Sequence, residues 1–265
     1  MKRTITFALL PLLLALSAAP ALAAIELPAL IGDHMVLQQK APVTIWGRAG
    51  AGEKVTVALA GQQASAAADD QGRWRVELKP LSAGGPYEMT ITAGGDTITI
   101  KDVLIGEVWV CSGQSNMAYG MFNPKYTRKA AHPNLRLFRV PWRAGLKPVA
   151  DLPPAAGPRT RWERCTPRNV VGFTAVGYFF GRDLHAARKV PVGLIQSCVG
   201  GTSAQMWVSR KALAADPALA GNLKGRQAAY ERSERLRREY APKLATWQKE
   251  SAAARAEGKR APQRP

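Results

Sequence analysis

The chain has 265 residues, 46% of them hydrophobic, and carries 37 Lys/Arg against 19 Asp/Glu for a formal net charge of +18. That apolar share excludes a chain disordered throughout and suits one large or two ordinary cores. Three cysteines, Cys111, Cys165 and Cys198, are too few and too scattered for a disulfide scaffold or a paired-cysteine metal site.

Met1-Lys2-Arg3, the apolar run from Phe7 to Leu16 and the small residues Ala21-Leu22-Ala23 form the pattern of an export signal, with cleavage expected after Ala23 or Ala24. Pro11 interrupts the run, which is shorter than the roughly 20 residues that span a bilayer. An exported protein, periplasmic or extracellular, argues against nucleic acid as the partner of all this positive charge. No later segment reads as transmembrane, so no stable membrane insertion is expected.

Residues 24–102 alternate apolar and polar positions in short runs closed by turn residues: Val43–Trp46, Lys54–Leu59, Trp74–Leu78 and Tyr87–Ile91. This spacing predicts a small antiparallel β-sandwich, a packing or glycan-binding module. After Val103 the pattern becomes α/β. Val103-Leu104-Ile105 and Val108-Trp109-Val110 are near-continuous apolar runs of the buried parallel type. A loop-rich, proline-punctuated stretch is expected over 122–172, then a helix over 173–189 and a buried strand from Pro191 to Ile195. Cys111 reads as a small buried hydrophobe, and Cys165 with Cys198 is the disulfide pair to test. Residues 213–265 read as a charged helical connector or tail, broken at Pro242. From Asn222 onward it carries twelve Lys/Arg and five Asp/Glu, the composition of a solvated helical face.

Two strand ends converge on one edge of the expected sheet. The first offers Gly113-Gln114-Ser115-Asn116, the second Gly200-Gly201-Thr202. Ligands of open α/β sheets bind in that crevice, and glycines there let backbone N–H groups approach a developing oxyanion. Ser115 is therefore the candidate nucleophile, with Gly200 and Gly201 as oxyanion donors. Gln114 and Asn116 flank it, and either shapes the pocket or holds the turn.

The string Val108-Trp109-Val110-Cys111-Ser112-Gly113-Gln114-Ser115-Asn116-Met117 resembles the nucleophile block of the sialate O-acetylesterase family, within the SGNH hydrolase superfamily. Asp33-His34-Met35-Val36-Leu37-Gln38 and Gly84-Gly85-Pro86-Tyr87 are similar to its amino-terminal β-domain, and Val190–Ile195 with Gly200-Gly201-Thr202 and Trp207 to its second glycine block. The likeness covers roughly residues 25–209. It implies an α/β fold: an amino-terminal all-β domain over 24–102, the first part of an SGNH-type three-layer parallel sheet over 103–212, and the charged helical tail. It also implies hydrolysis of acetyl esters on a carbohydrate such as O-acetylated sialic acid, without metal or cofactor. Ser115 would attack the acetyl carbonyl while its own N–H and that of Gly201 or Gly200 hold the oxyanion.

One departure matters. The family's base is a histidine in an Asp-x-x-His arrangement preceded by a Trp-Tyr-Gln-Gly-Glu-type block, and neither string occurs in these 265 residues. His34 belongs to the β-domain motif, and His185 reads as a helix-surface or core-edge residue. His132 is the remaining substitute for the base. The chain is thus expected to be the amino-terminal portion of an esterase, weakly active or inactive by itself. The competing readings are a secreted, non-catalytic carbohydrate-binding protein and a basic surface protein whose tail binds anionic polymers.

Overall fold

The computed structural model describes residues 24–142, 149, 151–152 and 160–265. The expected export signal at 1–23 lies outside the described residues. In chain order the strands are β1 (Val36–Gln38), β2 (Val43–Arg48), β3 (Lys54–Leu59), β4 (Gln62–Ala67), β5 (Arg73–Leu78), β6 (Gly84–Ala93) and β7 (Asp96–Gly113). The short helices α1 (Ser115–Ala118) and α2 (Pro124–Thr127) come next, then β8 (His132–Arg139), β9 (Trp162–Cys165), α3 (Ala175–Arg188) and β10 (Val192–Cys198). A 3-10 turn at Ala204–Trp207, α4 (Arg210–Ala215) and α5 (Pro217–Ala256) follow.

Strand β7 organises the molecule. Its first part pairs antiparallel with β6 and, at Leu104–Gly106, parallel with β1, while Glu107–Gly113 pair parallel with β10. A single path β4-β3-β6-β7-β10-β8-β9 therefore joins the antiparallel and parallel regions. The two apolar runs expected at 103–105 and 108–110 are parts of this one strand. At their junction a Cβ on Gly106 would meet the Pro191 carbonyl oxygen, so only glycine fits where β7 passes from one set of partners to the other.

Strands β2 and β5 form a separate two-stranded sheet whose inward residues Val43, Ile45, Trp74, Val76 and Leu78 share a core with Val55, Val57, Met89 and Ile91. Burial alternates along β5 and β3, as period-2 patterning requires. Strand β4 was not expected from the sequence, because Gln62–Ala67 contains no large apolar residue. It earns its place by backbone pairing to β3.

The loop-rich expectation for 122–172 needs correction. His132–Arg139 is the third strand of the parallel region, paired to β10, and Trp162–Cys165 closes the sheet as an antiparallel edge. Its alternation sorts two cores: Leu135 and Leu137 pack beneath α3 with Val192, Leu194 and Tyr178, whereas Phe138 and Trp162 pack on the β-rich side. The parallel sheet thus carries α3 on one face and the β-rich layer, not helices, on the other. Gly193 makes this possible, since a Cβ there would fall 2.8 Å from Val36 Cβ and 3.1 Å from the Trp162 ring.

Helix α3 starts at Thr174, whose side chain accepts from the Gly177 N–H, and stops at Lys189 in the left-handed conformation. Helix α5 continues through Pro242, contrary to the expected break. Proline removes one backbone donor there, and the surrounding Arg238 and Glu239 positions are exposed, so the freed carbonyl faces solvent while strong helix formers on either side carry the helix on. Among the described residues, no helix is long and apolar enough to cross a membrane.

Candidate active site

Strand β7 ends at Gly113, whose φ of +140° lies in the region that favours glycine. The Gly113 carbonyl accepts the Val199 N–H at 3.0 Å, tying this strand end to that of β10. The chain then turns, and Ser115 opens the single-turn helix α1. Gly200 lies directly against it: a Cβ on Gly200 would sit 3.6 Å from Ser115 Cα and 3.7 Å from Ser115 Cβ. Gly201 follows with φ +75° and open space where its side chain would be. The expected meeting of the Gln114-Ser115-Asn116 turn with the Gly200-Gly201 turn is present.

Gln114, Ser115 and Asn116 are all exposed. The Ser115 hydroxyl donates to Gln114 Oε1 at 2.5 Å, so in this arrangement its proton is held by a neutral amide rather than by a base. The loop behind the serine is braced from α3: Ala175 N–H donates to the Tyr119 carbonyl and Thr174 N–H to Gln196 Oε1, at 2.8 and 2.9 Å. Gln196 and Thr174 were not singled out from sequence. A polar side chain at the end of the buried run Val192–Ile195 was the signal that marks Gln196.

No histidine reaches Ser115. His132 begins β8, below the level at which Leu135 faces Val192 and Val192 faces Glu107, whereas Ser115 follows Gly113 at the far end of β7. Six residues of strand separate those levels, about 20 Å at 3.3 Å per residue. His132 instead contacts the Tyr178 hydroxyl at 3.2 Å, and burial, aided by the His185 and Arg182 charges, lowers its pKa. His185 spends Nδ1 on the Val190 carbonyl at 2.6 Å. The substitute role for His132 is therefore withdrawn on geometry. An Asp–His contact does exist, His34 Nδ1 to Asp102 Oδ2 at 2.6 Å, but Asp102 stands eleven positions before Gly113 on β7.

All three cysteines are free. The expected Cys165–Cys198 pairing fails, because Cys165 is buried beneath α3 with its thiol directed at the Ala130 carbonyl. Cys198 instead neighbours Cys111 across the β7–β10 pairing. Burial pushes the Cys111 thiol up to about 11 and the Cys165 thiol up to about 12, both far from thiolate character.

Beside the glycine turn, on the β8 side, lies a cavity of about 710 Å³ lined among others by Trp142, Gly200, Gly201, Trp207, Arg226 and Tyr230. Trp207 donates its indole N–H to Thr202 Oγ1 at 2.9 Å, and Thr202 in turn donates to the Val199 carbonyl at 2.8 Å.

Residues 105–231, which contain β7's parallel part, both turns and this cavity's wall, match the family model of the sialic acid-specific acetylesterase carbohydrate esterases. That match spans just under half of the chain. Sialate O-acetylesterase of Rattus norvegicus is 35% identical over 206 residues, covering 70% of this chain and 38% of the relative. The Homo sapiens sialate O-acetylesterase is 33% identical, with 70% and 39% covered. A crystal structure of a carbohydrate acetylesterase from Xanthomonas citri superposes with a TM-score of 0.68 at 34% identity, over 72% of this chain and 44% of that one. The chain spans about two fifths of the length of the curated relatives it matches.

Proposed function

We propose that this chain carries the nucleophile and oxyanion portion of a carbohydrate O-acetylesterase. The observation that carries the reading is the packing of Gly200 on Ser115, which brings backbone N–H groups of two separate strand ends to one reacting centre. Ser115 Oγ attacks the acetyl carbonyl, forming the C–O bond as its proton leaves. The tetrahedral oxyanion accepts from the N–H groups of Ser115 and of Gly200 or Gly201. Collapse expels the sugar oxygen, which takes a proton, and water then releases acetate from the acyl-serine. Asn116 and Gln114 border the acetyl group, and rotation of the hydroxyl away from Gln114 Oε1 precedes attack.

None of the histidines His34, His132 and His185 serves as the proton acceptor in this reading, since all three lie at a distance from Ser115. In this reading the family's Asp-x-x-His block supplies it, and relatives more than twice as long have room for that block. The substrate is an acetylated glycan such as O-acetylated sialate, encountered in the periplasm or outside the cell after removal of the export signal.

The test is hydrolysis of 4-nitrophenyl acetate and O-acetylated sialate with and without added imidazole as a diffusible base. After subtraction of the protein-free rate, because imidazole itself cleaves 4-nitrophenyl acetate, the expected outcome is slow protein-dependent turnover that imidazole stimulates and that Ser115→Ala abolishes. Equal imidazole-stimulated rates in the two proteins would overturn the assignment.

A further inference from the structure

The cavity beside the Gly200-Gly201 turn is wide enough for a bound sugar, and its chemistry is unusual for a surface of this charge. Pockets that hold small organic ligands measure about 300–1,000 Å³, and the 710 Å³ here falls inside that range. Three of its walls are aromatic: Trp142 three residues beyond β8, Trp207 from the 3-10 turn and Tyr230 from α5. Trp142 and Trp207 leave 69% and 39% of their surface exposed, although indole faces of this size are normally buried.

Trp207 is held rather than loose. Its N–H is fixed to Thr202 Oγ1, and Thr202 is fixed to the Val199 carbonyl in the turn that also places Gly200. The indole and the glycine that touches Ser115 are therefore parts of one rigid segment, 199–207. Between them the path is open, because Gly200 and Gly201 project no side chain into it.

We infer that Trp207 is the stacking platform for the pyranose ring of the substrate, with the ring seated in the cavity and its ester oxygen reaching across Gly200-Gly201 to Ser115. This rests on the esterase reading above and adds where the sugar lies and which residue selects it. The face of a pyranose is a sheet of C–H groups with hydroxyls at its rim, so it packs on an aromatic plane while the rim remains free for water and polar contacts. Arg226, with Nη1 donating to the Gln205 carbonyl, anchors α5 against the same segment and closes the wall opposite β8. Trp207 is thus a specificity-determining residue that takes no part in the chemistry at the acetyl group.

The experiment measures binding of methyl β-galactoside and of N-acetylneuraminate to the full chain by calorimetry, comparing the unaltered protein with Trp207→Ala, Trp207→Phe and Thr202→Val. Expected results are an approximately tenfold loss of affinity for at least one sugar in Trp207→Ala and intermediate losses in Trp207→Phe and Thr202→Val, both of which keep an aromatic ring but lose the bond that fixes it. Imidazole-stimulated hydrolysis gives the second readout: Trp207→Ala raises KM for the acetylated sugar about tenfold, a larger change than any on 4-nitrophenyl acetate, which has no pyranose ring to stack. Sugar binding that is absent, or undiminished in Trp207→Ala, overturns the platform. So does an equal loss of activity on both esters. Each of these results is independent of Ser115→Ala, whose failure to abolish hydrolysis would overturn the nucleophile while leaving a Trp207-dependent sugar site in place.

Discussion

Asp102 accepts from His34 Nδ1 at 2.6 Å while both residues hold left-handed backbone, with φ of +56° and +67°. The same carboxylate takes two 2.9 Å contacts from Arg136 Nη2 and a 2.8 Å hydrogen bond from Arg164 Nε. One negative charge therefore ties the segment before β1, strand β8 and strand β9 together. The Arg136 side chain is only 3% exposed, and its Nε and Nη1 find no hydrogen-bond partner, so Asp102 is its one charge partner among the described residues.

Replacing Asp102 with Asn keeps the side-chain shape and tolerates the positive φ, but leaves a buried guanidinium without its counter-charge. The expected destabilisation is about 3–5 kcal/mol, read by urea unfolding. Arg164→Ala, at a side chain 54% exposed, should cost about 1 kcal/mol or less.

Acid should weaken the fold in two stages. His132 has its pKa lowered chiefly by burial, so the unfolded chain binds that proton first and stability declines as pH falls below about 6.5. Burial alone would raise the Asp102 pKa. The hydrogen bonds from His34 and Arg164 and the Arg136 charge outweigh it, and the net shift is downward. Its contribution is complete above the unfolded value near 3.9 and is lost as pH falls through the folded one. Thermal melts from pH 7 to 3 check both, with His132→Gln and Asp102→Asn flattening the first and second declines respectively.

Gly106→Ala should be among the most damaging single substitutions, because the added Cβ would stand 2.0 Å from the Pro191 carbonyl oxygen. Backbone must shift on both strands, at a cost of about 3 kcal/mol or more. Gly200→Ala meets Ser115 only at ordinary contact distance, so its melting temperature should be nearly unchanged while any esterase activity falls.

The thiols should separate cleanly. At pH 8, half-exposed Cys198 should react with Ellman's reagent, while buried Cys111 and Cys165 react only when the protein unfolds. Mild oxidation should not join Cys111 to Cys198, because Cys198 lies opposite Gly113, two residues beyond the Gln196 that faces Cys111, about 8 Å between Cα atoms, as peptide mapping will show.

Beyond Gly106, one edge of β7 has no strand beside it among the described residues, and Trp109 and Val110 are 43% and 62% exposed there. Such an edge is a template for self-pairing. Concentration-dependent association is expected by light scattering, and Val110→Lys should reduce it.

The serine turn and the glycine turn were legible in sequence because each closes a buried apolar run, which places both at one sheet edge; either turn alone is common loop chemistry. Strand β8 was hidden by its setting among prolines, although Leu135, Leu137 and Phe138 already show inward-facing positions. Strand β4 offered only a faint hydrophobic signal, since its inward positions Ala64 and Ala66 are small and its pairing to β3 defines it. The covering of one sheet face by the β-rich layer depends on Gly193 admitting Val36, a packing fact that no local pattern encodes. The hub at Asp102 joins residues 34, 102, 136 and 164, whose proximity exists only once the sheet is assembled.

Eighteen residues of unbroken strand make β7 both the last strand of the antiparallel region and the one that delivers Ser115. Loosening β6 or the Asp102 hub therefore loosens the anchor of the reactive turn, even though neither approaches it. Variation in the β-rich layer can therefore displace the Ser115 turn through one continuous backbone, bulged at Asp102, and a grafting experiment that exchanges this layer must carry β7 with it.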